Sequence, residues 1–294
     1  MGKQLLVLTT YSDEAQIHEQ KKSIKSQLSI DIDHIVIDGL NKVDSQKKFH
    51  SVAYSLKDKY EFILKLDADM VPVDNFSIKK IIDMAVDKNT DRLTLPVFDF
   101  YTNSLIMGVH TIKSSKIPKI HNISENNTDG WIGDIKGQRL FYEKEVFINH
   151  AFVPSDEQSI RFGLHRGLKS RTDPNNGQWI SLMLLFKNWN KNRDTQIGYA
   201  VLAALYGLGQ DKNLKNIDWN YLNHNEKHFN KLSCQIKNDF SKKRLSDINL
   251  LKKISFARIH FRVFRKVKPI IFLYLRYLFN YHILSRKNFV KKEK

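Results

Sequence analysis

A single cysteine, Cys234, stands among 294 residues. That excludes an internal disulfide framework and any thiolate-rich metal site. No Cys–His pairing surrounds it, so it reads as an inert thiol rather than a nucleophile. Proline and glycine are also sparse, at six and twelve residues, and they nowhere gather into a linker. No phosphate-cradling glycine loop, zinc-protease histidine pair or nucleophilic serine elbow occurs, and no internal repeat is present. Long apolar runs are missing as well. The opening run over residues 4–8 is too short for a secretory signal, and no small-residue cleavage site follows it. Leu6 breaks the myristoylation pattern that Gly2 would begin. The expectation is a cytoplasmic chain in a reducing compartment.

Acidic residues are outnumbered, 31 against 48 basic ones, for a net charge of +17. Such an excess ordinarily points to nucleic acid or an anionic membrane. It is not spread evenly. Residues 231–294 hold 18 Lys and Arg against 3 Asp and Glu, and the first 230 hold 30 against 28. The body is therefore close to neutral, and the excess belongs to the tail. A 41% hydrophobic and 11% aromatic content is enough for a packed core and argues against disorder.

The first hundred residues alternate strand and helix patterns. Strands are expected over 5–9, 34–38, 60–66 and 92–98, and helices over 13–27, 47–59 and 76–86. This alternation indicates βαβ units, an α/β class and a mainly parallel sheet. Ligands then bind beyond the carboxyl ends of the strands, where Asp38 and Asp67 fall. From 101 to 150 the pattern loosens into a Gly/Asn/Asp-rich loop around Trp131 and Asp134, followed by a strand-like stretch at 138–149. Ser155 reads as the N-cap of a helix, with Gln158 in the reciprocal position. Further helices are expected over 179–186 and 198–206.

The strongest chemical pattern is Lys65-Leu66-Asp67-Ala68-Asp69, where a buried strand ends in two carboxylates separated by one small residue. Oxygen ligands of this kind suit Mg²⁺ or Mn²⁺, which are commonly held by one or two carboxylates together with substrate phosphates. The neighbouring carboxylate is then free for a ribose or sugar hydroxyl. Downstream, Arg161, His165 and Lys169 fall at i, i+4 and i+8, with Arg166 beside them. If the segment is helical, this is a cationic face suited to a diphosphate, with His165 available to the metal. Gly163 and Gly167 favour a break after Phe162.

The element order and the Asp67-Ala68-Asp69 motif resemble the GT-A nucleotide-sugar glycosyltransferases, in particular glycosyltransferase family 2. The opening is similar as well: Tyr11-Ser12-Asp13-Glu14, then Ser23-Ile24-Lys25-Ser26-Gln27, then a strand ending at Asp38. The resemblance covers residues 4–100 well and 101–210 loosely. It departs at the residue before Glu14, and at Leu40-Asn41, where the family carries a Ser/Thr-Asp pair. The fold it implies is Rossmann-like, a mainly parallel sheet flanked by helices, with a helical basic extension after it. It also implies a nucleotide-sugar donor pocket lined by Thr9, Tyr11, Glu14, Asp38 and Asp67, to which the cationic face of Arg161, Arg166 and Lys169 adds a place for the diphosphate. The metal, Mn²⁺ or Mg²⁺, falls to Asp69 with Asp67, and a downstream histidine, His165 or His150, completes the set. An inverting transferase needs a carboxylate base for the acceptor hydroxyl. Asp156 is the first candidate, beside Glu157, and Asp134 is the competitor. Trp131, in a polar loop, is the candidate for stacking on an acceptor sugar.

The tail carries a helical pattern over 251–284. Arg258, Arg262, Arg265 and Arg276 form one stripe, and Phe256, Ile259, Val263, Val267, Ile270, Tyr274, Leu278 and Tyr281 lie opposite. Pro269 should kink or divide this helix. The apolar part is short and interrupted, so an interfacial helix on an anionic leaflet is expected rather than a span. Nucleic acid is not expected as a partner, because the aromatics lie opposite the charge rather than among it.

These readings divide the chain into a transferase domain at 1–230 and a membrane-associating tail at 231–294. Within the domain, 1–100 is expected to take the donor and 101–230 the acceptor. The expected reaction is transfer of a hexosyl or related group to a lipid-linked bacterial surface glycan, such as lipopolysaccharide, O-antigen or capsule. The enzyme would lie peripherally on the inner face of the cytoplasmic membrane. The rival classes are a nucleotidyltransferase on a similar sheet and a non-enzymatic membrane- or nucleic-acid-binding protein.

Overall fold

A computed structural model describes residues 3–40, 42–119, 131–132, 135, 139–141, 145–172, 178–210, 222 and 225–242. The amphipathic tail pattern beyond residue 242 and Asp134 lie outside the described residues. The chain divides into two compact units, Met1–Phe100 with Ser104–Pro154, and Tyr101–Asn103 with Ser155–Lys294.

The first unit is α/β. Its elements run β1 (Lys3–Thr10), α1 (Ile17–Lys25), β2 (Ile32–Ile37), α2 (Lys42–Ser55), β3 (Tyr60–Asp67), β4 (Met70–Pro72) and α3 (Ser77–Asp87). They continue with β5 (Arg92–Asp99), β6 (Ser104–Lys113), a 3₁₀ turn at Ser114–Lys116, β7 (Arg139–Phe141) and β8 (Ile148–His150). All eight strands join one sheet in the order β2-β1-β3-β6-β5-β8-β4, with β7 beside β5. β1 is parallel to both β2 and β3, while β6 is antiparallel to β3 and β5. The sheet is thus mixed: a parallel core carries an inserted antiparallel strand where the sequence pattern loosened. The ladder shifts register between Leu95 and Pro96, where proline has no N–H to donate.

β1 reads as an unbroken apolar run because both faces of the sheet are covered. Alternate side chains serve opposite faces. Leu5, Val7, Phe62, Leu64 and Leu66 pack with Ile24 of α1 and Ile78, Ile81 and Ile82 of α3. Leu6, Leu8 and Ile63 pack with Phe49 and Ala53 of α2 and with Trp131. Gln27 ties the end of α1 to the start of α3, donating to the Asp74 carbonyl at 2.7 Å and accepting from the Ile78 N–H at 2.9 Å. That is the structural use of the Ser-x-x-x-Gln ending.

The second unit is helical among its described residues: α4 (Asp156–Thr172), α5 (Gln178–Asn192), α6 (Thr195–Leu205), a π-helical turn at Tyr206–Gln210, and α7 (Glu226–Lys242). Ser155 caps α4, its Oγ accepting from the Gln158 N–H at 3.1 Å. The expected break after Phe162 does not occur. α6 buries every residue from Ile197 to Leu205 except the partly buried Tyr199, and α4 crosses it closely at its two glycines. A Cβ at Gly163 would stand 2.1 Å from the Ala200 carbonyl oxygen, and one at Gly167 would stand 2.3 Å from that of Ala204. The glycines that weaken an isolated helix are here required by the packing. No described helix is long and apolar enough to cross a membrane.

Candidate functional site

Strands β1, β2 and β3 run the same way, and two successive antiparallel pairings return β5 to that direction, with β8 parallel to β5. Five strands therefore end on one edge of the sheet, and their last residues are Thr10, Ile37, Asp67, Asp99 and His150. Sequence alone nominated Asp67 and the neighbouring Asp38 there. It did not nominate Asp99, although that residue terminates β5 as Asp67 terminates β3.

Asp99 and His150 are register partners on adjacent strands. His150 Nδ1 lies 2.6 Å from Asp99 Oδ1, and its Nε2 lies 3.3 Å from Asp69 Oδ2. The Asp99 carboxylate is 0% exposed, whereas His150 is 14% and Asp69 17% exposed. Solvent therefore reaches the Asp69–His150 end of this chain, and Asp99 stands behind it. Burial opposes a charge on His150, but the carboxylates of Asp69 and Asp99 outweigh it and raise the ring's pKa well above the ordinary histidine value. Asp69 is tied to the following segment through its backbone, the Ala151 N–H donating to its carbonyl at 2.8 Å.

Asp67 has a different environment. Lys65, buried two residues earlier on the same strand face, places its ammonium 2.8 Å from Asp67 Oδ1. Burial works against the charged carboxylate, but the Lys65 charge and hydrogen bond prevail, with help from His150, and hold its pKa below the usual range. The Asp67 side chain is 41% exposed, so a second oxygen faces solvent. His110, opposite Lys65 on β6, is pushed down to about 4 by burial and by the Lys65 and Arg92 charges. It is a neutral neighbour.

Glu14 lies in the same electrostatic field. Burial and the charges of Asp69 and Asp67 raise it to about 7, against the stabilising Ser12 N–H, which donates to it at 2.6 Å. Tyr11 is fixed at the end of β1 by its N–H donating to Ile37 O at 2.9 Å. Asp38 is exposed beside Gly39, which has φ +68°. Thr9 is fully buried, and its hydroxyl contacts Gln20 Oε1 at 2.9 Å and His34 Nε2 at 3.0 Å. It faces the interior of the unit rather than a pocket. Trp131 is 4% exposed, packed against Phe49 and edge-on to His50 with centroids 5.0 Å apart. Its ring is a core contact, packed with Leu6, Leu8 and Ile63 of the sheet rather than turned to solvent.

The remaining nominated residues belong to the second unit. Asp156 accepts from Gln196 Nε2 at 3.1 Å and stands 3.7 Å from Lys237 Nζ, which also hydrogen-bonds Glu157. The Lys237 bond, against a smaller opposing effect of burial, lowers the Glu157 pKa. Arg161 pairs with Glu226 at 3.3 Å and covers the Phe229 ring at 4.0 Å. His165, Arg166 and Lys169 lie on α4, which continues past Phe162.

Among the described residues, no group of three or more His, Cys, Asp or Glu side chains is gathered to hold a metal ion. The Asp69–His150 pair offers one carboxylate oxygen and, once a cation displaces the proton on Nε2, one imidazole nitrogen at a solvent-reached edge. That donor set fits a divalent ion that keeps further positions for water and phosphate oxygens.

No family model matches the sequence, and no curated protein matches it. Solved structures do resemble it faintly. TarS of S. aureus, residues 1–349, matches with TM-score 0.36 and 8% identity, over 82% of this chain and 92% of that one. A glycosyltransferase involved in glycosylation of the major capsid of PBCV-1 matches with TM-score 0.34 and 13% identity, over 50% and 93%. Rv0371C of Mycobacterium tuberculosis H37Rv, solved in complex with manganese, matches with TM-score 0.30 and 10% identity, over 50% and 92%. Likenesses this faint leave the functional reading to the geometry of the strand ends.

Proposed function

We propose that this chain is a GT-A-type glycosyltransferase that takes a nucleotide-sugar donor at the carboxyl edge of its sheet. The observation that carries the reading is the Asp99–His150–Asp69 chain, buried at one end and reached by solvent at the other. Asp69 and His150 would hold Mn²⁺ or Mg²⁺, with Asp67 close by. When bound, the ion would neutralise the charge that develops on the departing diphosphate. Asp99 accepts the proton on Nδ1 and so fixes the ring orientation in which Nε2 is turned to Asp69. Lys65 fixes one oxygen of Asp67 and leaves the other to accept from a ribose or sugar hydroxyl. Glu14, Tyr11 and Asp38 would bound the nucleotide side.

For the acceptor we retain the sequence-based assignments. The acceptor is a growing, lipid-linked surface glycan, and transfer is of a hexosyl or related group and inverting, with Asp156 as the base. Arg161, Arg166 and Lys169 would meet the diphosphate, and the basic tail would bring the enzyme to an anionic membrane face. The test is to incubate the full chain with a panel of nucleotide sugars, Mn²⁺ and acceptor lipid, and to identify the nucleotide released. A nucleoside diphosphate is expected, formed by the wild type and not by Asp69→Ala. Release of pyrophosphate would point to nucleotidyl transfer instead.

A further inference from the structure

The turn that carries Asp69 is held from behind by one side chain outside the nominated set. Gln20 projects from α1 and is fully buried. Its amide nitrogen donates to the carbonyl of Asp67 at 2.6 Å and to that of Met70 at 2.7 Å. Those two carbonyls bracket Ala68 and Asp69, the residues whose backbone path sets the direction of the Asp69 carboxylate. The amide oxygen accepts from the Thr9 hydroxyl at 2.9 Å. Thr9 Oγ1 in turn lies 3.0 Å from His34 Nε2. Because Thr9 donates to Gln20, its oxygen is left to accept from His34, so the bonds run in one direction from β2, through β1 and α1, to the turn. Burial, reinforced by the Lys21 charge, pushes His34 down to about 4, which keeps the ring neutral.

Only a carboxamide of this length meets both demands. Glutamate would set an oxygen against two carbonyl oxygens, asparagine is one methylene short, and an apolar side chain would leave both carbonyls without this donor. Outside the strand ladders, which pair Asp67 with Thr10 and Met70 with His150, the backbone contacts of the turn are two: the Ala68 N–H donates to Thr10 O at 3.2 Å, and Asp69 O accepts from the Ala151 N–H. Without the amide, nothing else in the described contacts ties the Asp67 and Met70 carbonyls to each other across the turn.

We propose that Gln20 is a positioning residue, oriented by Thr9, that fixes the turn of residues 67–70 so that Asp69 meets His150. This rests on the reading that Asp69 and His150 hold the divalent ion. The experiment is Mn²⁺ binding to the full chain, followed by electron paramagnetic resonance and paired with thermal melts. Gln20→Met keeps the packing volume and removes all three bonds, and it should weaken Mn²⁺ binding about tenfold, as loss of a residue that orients a metal ligand does. Thr9→Val, near-isosteric and one bond further back, should weaken it by less, about threefold, and it keeps the test alive if Gln20→Met does not fold. Ile24→Ala, buried on the same helix, should lower the melting temperature and leave Mn²⁺ affinity at the wild-type value, which separates positioning from general loss of stability. Wild-type affinity in both Gln20→Met and Thr9→Val, with binding lost in Asp69→Ala, would overturn the positioning role. Wild-type affinity in Asp69→Ala would overturn the reading beneath it, and this inference with it.

Discussion

The strand ends of the first unit and the helices of the second handle charge in opposite ways. At the strand ends, ionisable groups are taken into the fold: Asp99 has no exposure at all, Lys65 is buried, and His150 sits between two carboxylates. In the second, they stay at helix surfaces, where Lys237 meets Asp156 and Glu157, and Arg161 meets Glu226. Burying a charge costs several kcal/mol unless it is paired and hydrogen-bonded, whereas exposed pairs assemble at little cost and contribute little. Stability alone does not account for the arrangement at the strand ends. The helical unit derives its cohesion from elsewhere, from the close approach of α4 to α6.

That contrast can be broken from either side. The largest effect on stability should come from the helical unit: Gly163→Ala puts a methyl group into the Ala200 carbonyl and should cost about 1–3 kcal/mol in urea denaturation. Next, Asp99→Asn should leave the chain folded while weakening Mn²⁺ binding about 10–100-fold, because the amide no longer enforces the His150 orientation; titration calorimetry reads this directly. A third test uses pH. Glu14 moves from an ordinary 4.5 to about 7 in the folded chain, so the folded state binds its proton more tightly. The stability this confers is complete below pH 4.5 and is lost as pH rises to about 7. In chelator, urea midpoints of the wild type should fall across that window, and Glu14→Gln should flatten the fall. The smallest effect belongs to Lys237→Ala. Its Glu157 partner is 54% exposed, and unfolding should shift by less than about 1 kcal/mol.

The parallel core of the sheet was legible because period-two apolar runs alternate with helical ones over residues 5–98, and nothing competes with that pattern. Asp67 and Asp69 were legible for the same reason, as polar residues ending a buried strand abruptly. β6 was not, since Ser104–Lys113 mixes Gly108, His110 and Thr111 into its apolar run, and although it follows β5 directly, its other partner β3 lies far from it in sequence. Asp99 and Gln20 escaped because their roles exist only across strands and helices: one needs His150 from 51 residues away, the other the carbonyls of residues 47 and 50 positions away. Thr9 and Trp131 show the converse. A polar residue at a strand end and a tryptophan in a polar loop both look available in the sequence, and both turn inward. The helix glycines misled in the same way, since their value lies in what approaches them.

The central claim is that Asp69 and His150 form the cation site at the strand ends. It is tested most directly by Mn²⁺ titration of the folded chain beside Asp69→Ala and Asp156→Ala, with binding followed by electron paramagnetic resonance. The account predicts binding by the wild type and Asp156→Ala and its loss in Asp69→Ala. Equal binding by Asp69→Ala and the wild type would contradict it.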